Sequence, residues 1–309
     1  MITRVKRGQA NPVDLEIFRN LFVSIADEMG AVLRKTAFSA NIKERRDYSC
    51  ALYGQAGETI AMGDHMPVHL GAMPLSVKAV LTTFDLAPGD VAIVNDPFHG
   101  GTHLPDITAV SGVFMTKQGP ADFYVASRAH HADVGGMSPG SMPLAREIYQ
   151  EGLRIPPVLL MRGVRGKSGV QSEVQRDVMN MILANVRTPQ EREGDLMAQV
   201  MSNRRGEARL RDIVARYGLV RVRRSAAGLL DYAERSTREM LSRIPGGEYQ
   251  FEDFLDSDGV TEEPVRIAVT LRILSAGTKS SAEVDFTGSS PQVAGSVNAN
   301  YAIAVSAAM

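Results

Sequence analysis

His103 and Asp106, three residues apart in NDPFHGGTHLPD, can meet on one metal ion from a tight turn or a helix. Gly100 and Gly101 just before them let the backbone bend close to a ligand. About 27 residues later, SRAHHADVGG supplies His130, His131 and Asp133, a second source of imidazole and carboxylate. Two histidines and one carboxylate with open positions would make a metal site. Nitrogen and oxygen ligands without thiolate suit Mn, Fe, Zn or Mg. The competing reading is that these histidines cap turns and bond loop backbone.

All six histidines of the chain (His65, His69, His99, His103, His130 and His131) fall in this one stretch. Histidine is the side chain that most readily binds metal or moves protons near neutral pH, so the crowding points to a single chemical region. His65 and His69 flank Met66-Pro67, where the proline argues against one continuous helix and for a loop wall. Asp64 stands next to His65 and could orient its ring. Asn95 and Asp96 are placed to hold the metal loop or to accept hydrogen bonds from substrate, and His99 belongs to the loop that shapes the centre. Cys50, in SCALY, offers a nucleophile, against which stands the commoner reading of a buried inert thiol in a strand. No GxxxxGK[ST] loop, no GxGxxG after a strand and no G-x-S-x-G elbow is present. ATP, if the reaction uses it, has to be bound elsewhere.

The elements that position these residues are partly legible. A helix is expected over Pro12–Phe38, with Asn11 as N-cap, Pro12 as first residue and Val13, Ile17, Leu21, Ile25, Met29 and Leu33 as its apolar stripe. Strands are expected at Ser49–Tyr53, Glu58–Met62, Val91–Val94 and from Phe123 to about Ser127, with a helix in MPLSVKAVLTTF between them. Two of these strands deliver polar residues at their C-terminal ends, a common place for active sites in sheets flanked by helices. From Ser172 to Arg243 the chain reads as helical, with Thr188-Pro189-Gln190-Glu191 as a capping box. Residues 201–243 carry eleven arginines against five acids, either a solvated helix surface or a docking face for a partner protein. YQFEDFLDSDG, VRIAVTLRI and AEVDFTG alternate as antiparallel strands do, and Asp258-Gly259 marks a turn rather than a calcium loop. The class is α+β: a long N-terminal helix, a Gly/His-rich mixed-sheet core, a central helical segment and C-terminal antiparallel strands. The divisions are 1–170, 171–245 and 246–309.

With 44% hydrophobic and 22% charged residues, the composition is that of a globular chain with a core. The net charge of −1 gives no pull toward nucleic acid or a membrane surface. A single cysteine allows no internal disulfide and suits the cytoplasm. The basic N-terminus lacks the apolar run of a secretory signal. The chain stops at NANYAIAVSAAM, inside an apolar segment, and is expected to be cut short there.

At this point the chain resembles the hydantoinase B / 5-oxoprolinase family. The likeness runs through NPVDLEIFRNLFVSIADEMGAVLRKTAFSANIKERRDYSCALY, GDHMPVHLGAMPLSV, GDVAIVNDPFHGGTHLPDITAV, SRAHHADVGGMSPGSMP, EIYQEGLRIPPV, ILANVRTPQEREGDLMAQ and VDFTGSSPQVAGSVNANYA. It implies ATP-dependent opening of cyclic amides such as 5-oxoproline or N-methylhydantoin. A separate hydantoinase A-type ATPase subunit activates the substrate, and the two form a hetero-oligomer. Relatives serve as alpha subunits of acetone and acetophenone carboxylases, which gives an alternative activity; a non-catalytic scaffold or remnant is a third. The resemblance implies His103, Asp106 and His130 as ligands of a divalent metal (Mn, Zn or Mg), with His131 the alternative to His130. It further implies Asp133 or His131 as general base, and His65, His69 and Asp96 about the substrate. Family members continue well beyond residue 309.

Overall fold

The computed structural model describes residues 11–63, 65–116, 119–140, 143–166 and 169–309. In chain order these form α1 (Pro12–Thr36), α2 (Ala40–Lys43), β1 (Tyr48–Tyr53), β2 (Thr59–Met62), α3 (His69–Thr83), β3 (Val91–Val94), β4 (Asp106–Val113), β5 (Phe123–His130) and α4 (Ile148–Glu151). There follow β6 (Val158–Gly166), β7 (Gly169–Val174), α5 (Arg176–Ala184), α6 (Pro189–Tyr217), α7 (Leu219–Ser242), β8 (Gly247–Leu255), β9 (Val265–Leu274), β10 (Ser281–Asp285) and α8 (Tyr301–Ala308). The α+β class holds. The main sheet has seven strands in the order β2-β1-β5-β4-β3-β6-β7, and its pairings are antiparallel throughout rather than mixed. β8, β9 and β10 form a second, three-stranded antiparallel sheet.

Successive strand residues point to opposite faces, and both faces of the main sheet are covered. One carries Cys50, Leu52, Phe123 and Val125, packed with Phe18, Phe22, Ile25, Met29 and Leu33 of α1 and with Leu210 and Ile213 of α6. Each of those α1 side chains contributes roughly 1.5–3 kcal/mol by leaving water. The other face carries Ala51, Tyr53, Ala92, Val94, Val110 and Ala126 under Met73, Val77 and Val80 of α3. The eight residues of β4 and the eight of β5 are all buried.

Asn11 caps α1 through its side chain, which accepts from the Val13 amide, as expected. The stripe differs at its start. Val13 is 62% and Ile17 40% exposed, and Phe18 and Phe22 take the core positions. Residues spaced by four advance 400° on a 3.6-residue helix, so a strict four-residue series drifts about 40° per step and cannot stay on one face. β5 runs three residues past Ser127 to His130, and the β6–β7 hairpin went unrecognised. Pro189 opens α6 as expected, but Thr188 makes no side-chain cap bond. Of the eleven arginines in 201–243, at least seven are ion-paired among the described residues, including Arg205 and Arg209 with Glu28, Arg221 with Asp14 and Arg223 with Asp122. Much of that charge is therefore neutralised internally, tying α6 and α7 to α1. Among the described residues no helix is long and apolar enough to cross a membrane.

Candidate metal centre

One end of the main sheet gathers the start of β1, the end of β5, the start of β4 and the end of β3. Asp106, first in β4, stands opposite His130, last in β5. Paired residues of an antiparallel ladder share a face, so both side chains emerge on the α3 side. The loop before β4 brings in His103. Its Nε2 lies 3.0 Å from His130 Nδ1, and these nitrogens lie 3.5 and 3.4 Å from Asp106 Oδ1. One ligand atom from each of the three residues falls within 4.8 Å of the others.

Asp106 is almost wholly buried and its two oxygens are used differently. Oδ2 accepts from Thr102 Oγ1 at 2.7 Å and lies 3.3 Å from His69 Nε2. Oδ1 is buried without a hydrogen-bond partner. A buried carboxylate oxygen left unpaired costs free energy unless something meets it. Burial pushes the Asp106 carboxyl up; the surrounding rings of His130, His69 and His103 overcome this and hold it well below the usual range. Burial lowers the His103 ring below its ordinary value, against the pull of Asp106, so the ring is neutral and ligand-competent near neutral pH. An ionised carboxylate with one orphaned oxygen, facing two imidazole nitrogens, fits a divalent cation. His103 is 34% exposed, which leaves the centre open on one side.

The surroundings fix this arrangement. His69, the first residue of α3, bonds Ser49 Oγ through Nδ1 (2.8 Å) and so presents Nε2 to Asp106. It supports the centre from a helix start, not from a loop wall. Arg128, fully buried on the same face, donates to Thr108 Oγ1 and Ser76 Oγ, and Ser76 donates to the Gly100 carbonyl. Thr102 and Arg128 escaped the sequence reading; an arginine inside the buried strand FYVASRAH was the available signal. Asn300, the N-cap of α8, donates to the Gly101 and Thr102 carbonyls and pins the loop from the far end of the chain. A Cβ at Gly101 would collide with the backbone of Asn95 and Asp96. Gly101→Ala is therefore expected to leave the fold intact and weaken metal binding at least tenfold, as loss of supporting contacts does; titration with Mn and Zn checks this.

Three residues expected at the site lie elsewhere. His131 continues past the end of β5 onto the opposite face, where its Nε2 meets Gln199 Oε1 of α6 at 2.9 Å. It is fully buried and is neither ligand nor solvent-accessible base. Asp133 is bound by Arg187, through the amide at 2.6 Å and the guanidinium at 2.9 Å, and holds the chain before α6. His65 packs beside Tyr48, ring centroids 5.0 Å apart, and accepts from the Cys50 amide on the α1 side of the sheet. Asp64 lies outside the described residues. Cys50 is buried with its thiol pushed up to about 12, the inert reading. Asp96 does sit at this end, taking the Phe98 amide and His99 Nδ1.

Burial, aided by the nearby Arg192 charge, lowers the His131 ring to about 4. The unfolded ring takes its proton near 6.5, so between the two values the unfolded chain binds more protons. Stability is complete above pH 6.5 and falls as the pH drops toward 4, by up to about 1.4 kcal/mol per unit. Urea unfolding at pH 7 and pH 5 is expected to show this slope, and His131→Gln to flatten it. An unchanged slope in the variant would assign the effect to another group.

Residues 11–309 match the hydantoinase B/oxoprolinase family. The chain belongs to that family. Its family relatives include 5-oxoprolinase 1 of Arabidopsis thaliana, 36% identical over 97% of this chain and 25% of the plant protein. The caprolactamase subunit beta of Pseudomonas jessenii is 36% identical over 81% of this chain and 42% of that protein. The crystal structure of the ATP-dependent caprolactamase from Pseudomonas jessenii superposes with a TM-score of 0.84 at 32% identity, covering 97% of this chain and 50% of that one. Nucleotide-free acetone carboxylase shares the fold, with a TM-score of 0.82 at 18% identity over 96% of this chain and 40% of that one. This hydantoinase B chain thus spans a quarter to a half of the length of the relatives it matches.

Proposed function

We propose that this chain is the B-type part of an ATP-dependent cyclic-amide hydrolase, acting in the cytoplasm on a lactam or hydantoin activated by an A-type ATPase partner. The observation that carries this is the unpartnered Asp106 Oδ1 facing His103 and His130. It sits in a chain whose relatives are named 5-oxoprolinase and ATP-dependent caprolactamase. His103, Asp106 and His130 would hold a divalent metal, which supplies Lewis-acid polarisation of a carbon–oxygen bond. Thr102 and His69 hold the other carboxylate oxygen, so that Oδ1 keeps one orientation. Ser49 sets the face that His69 presents. The absence of a phosphate loop from the sequence agrees with activation by a second subunit or domain.

The test is reconstitution of the full-length protein with its ATPase partner. ATP is supplied with 5-oxoproline, caprolactam, a hydantoin, or acetone and bicarbonate. Ring opening coupled to ATP cleavage is expected with at least one cyclic amide. Carboxylation of acetone without ring opening would favour the alternative that the acetone carboxylase fold suggests. A protein that retains no metal and opens no ring would be the scaffold.

A further inference from the structure

The metal triad does not use His99, and His131 and Asp133 are held by Gln199 and Arg187, away from it. We infer that His99, oriented by Asp96, is the proton-transfer group beside the metal triad; this rests on the hydrolase reading above. Val94, the last residue of β3, pairs with Thr108 of β4; the loop between the strands folds back so that the Gly101 amide donates to the Asp96 carbonyl, one residue before Thr102 bonds Asp106, which in turn faces His130. Residues 92, 94, 108, 110 and 126 share the α3 face, and Asp96 follows two residues after Val94, at the end of the sheet where the triad forms.

The loop between them is a near palindrome, Asp96-x-x-His99 and then His103-x-x-Asp106. The second half builds the metal site. The first half has another character. Asp96 is buried; Oδ1 accepts from the Phe98 amide at 3.0 Å and Oδ2 meets His99 Nδ1 at 2.9 Å. Two bonds fix the carboxylate, and the carboxylate fixes the ring. His99 is 52% exposed, alone among the six histidines in being turned to solvent, so Nε2 is the nitrogen that faces outward. A carboxylate behind Nδ1 sets the tautomer with Nε2 free to accept and steadies the imidazolium that forms. Arg154 lies 3.7 Å from Asp96 Oδ2 and stacks over exposed Phe98, a cation that disfavours a second metal here.

In the step, Nε2 takes a proton from water as the water oxygen bonds to the amide carbon. The carbon–nitrogen bond then breaks with its electron pair on nitrogen, which receives that proton.

The experiment uses the full-length protein assembled with its ATPase partner, ATP and a cyclic amide that the unaltered assembly opens. His99→Ala is expected to lower kcat by about 10²- to 10⁴-fold, to keep the metal content of the unaltered protein, and to regain activity with added imidazole. Asp96→Asn is expected to lower kcat with KM little changed and to move the acidic limb of the pH profile to lower pH, because the anion that favours the imidazolium is gone. Activity of His99→Ala within about threefold of the unaltered assembly overturns the inference, as does a loss that tracks release of metal. An unaltered assembly that opens no cyclic amide overturns the hydrolase reading itself and the dyad with it, a result visible before any variant is made.

Discussion

Asp106→Ala protein is expected to purify without the divalent metal that, on the proposed reading, the unaltered chain would hold. The substitution removes the one anionic ligand and leaves His103 and His130, 3.0 Å apart, to face each other without a carboxylate. Loss of a supporting partner costs about 10–100-fold in metal affinity; loss of a ligand exceeds that. Ring opening by the assembled enzyme is expected to fall at least 10³-fold, beyond what one misplaced general base removes. Asp106→Asn is a finer probe. The amide still reaches Thr102 and His69 on one side but cannot supply the anionic oxygen on the other. Metal analysis of the two variants beside His131→Gln separates the ligands, because the His131 ring faces α6. Full metal in Asp106→Ala, or metal loss confined to His131→Gln, would refute the site.

His103 and Asp106 were legible because their partners are local: a three-residue spacing and two glycines suffice to bring the side chains together. The choice between His130 and His131 was not, and the reason is parity. With β5 ended at Ser127, nothing decides which imidazole faces Asp106. Once the strand runs to His130 and pairs with Asp106, alternation settles it. Asp133 was misread because its partner, Arg187, stands 54 residues away and leaves no local mark. β3 was placed to the residue, since a short apolar run between Gly-Asp and Asn-Asp has few alternatives. The stripe of α1 failed at its N-terminal end, where a four-residue count replaced a 3.6-residue one. The buried polar residues of α6 (Asp195, Gln199, Ser202 and Asn203) read in sequence as an ordinary exposed helix face. They are buried because carbonyls of β4, β5 and α1 and the amides of Phe38 and Ser39 just beyond α1, invisible in sequence, come to meet them.

Asp195 shows what that hidden polarity is worth. Its Oδ1 accepts from the amides of Phe38 and Ser39, at 2.7 and 3.1 Å, and its Oδ2 from Arg192 at 2.7 Å. Both charged side chains are buried. Asp195→Ala leaves a buried guanidinium with only Glu191 at its edge and orphans two backbone amides where the chain leaves α1. Breaking a buried pair from one side costs about 3–5 kcal/mol. For a chain of this size that lowers the melting temperature on the order of 5–10 °C. Removing both charges relieves the stranded guanidinium, so Arg192→Met/Asp195→Leu should recover part of the loss. It cannot recover all, because the Phe38 and Ser39 amides stay unsatisfied at about 1–3 kcal/mol each. A double variant as stable as the unaltered protein would show that those amides find water. A single variant within about 1 kcal/mol would show that Arg192 relocates to solvent. Asp195→Asn keeps an acceptor for the amides and loses the charge, and should fall between the two. The ordering of the three variants by thermal unfolding therefore measures separately what the ion pair and the amide bonds contribute to holding α6 against the segment that leaves α1.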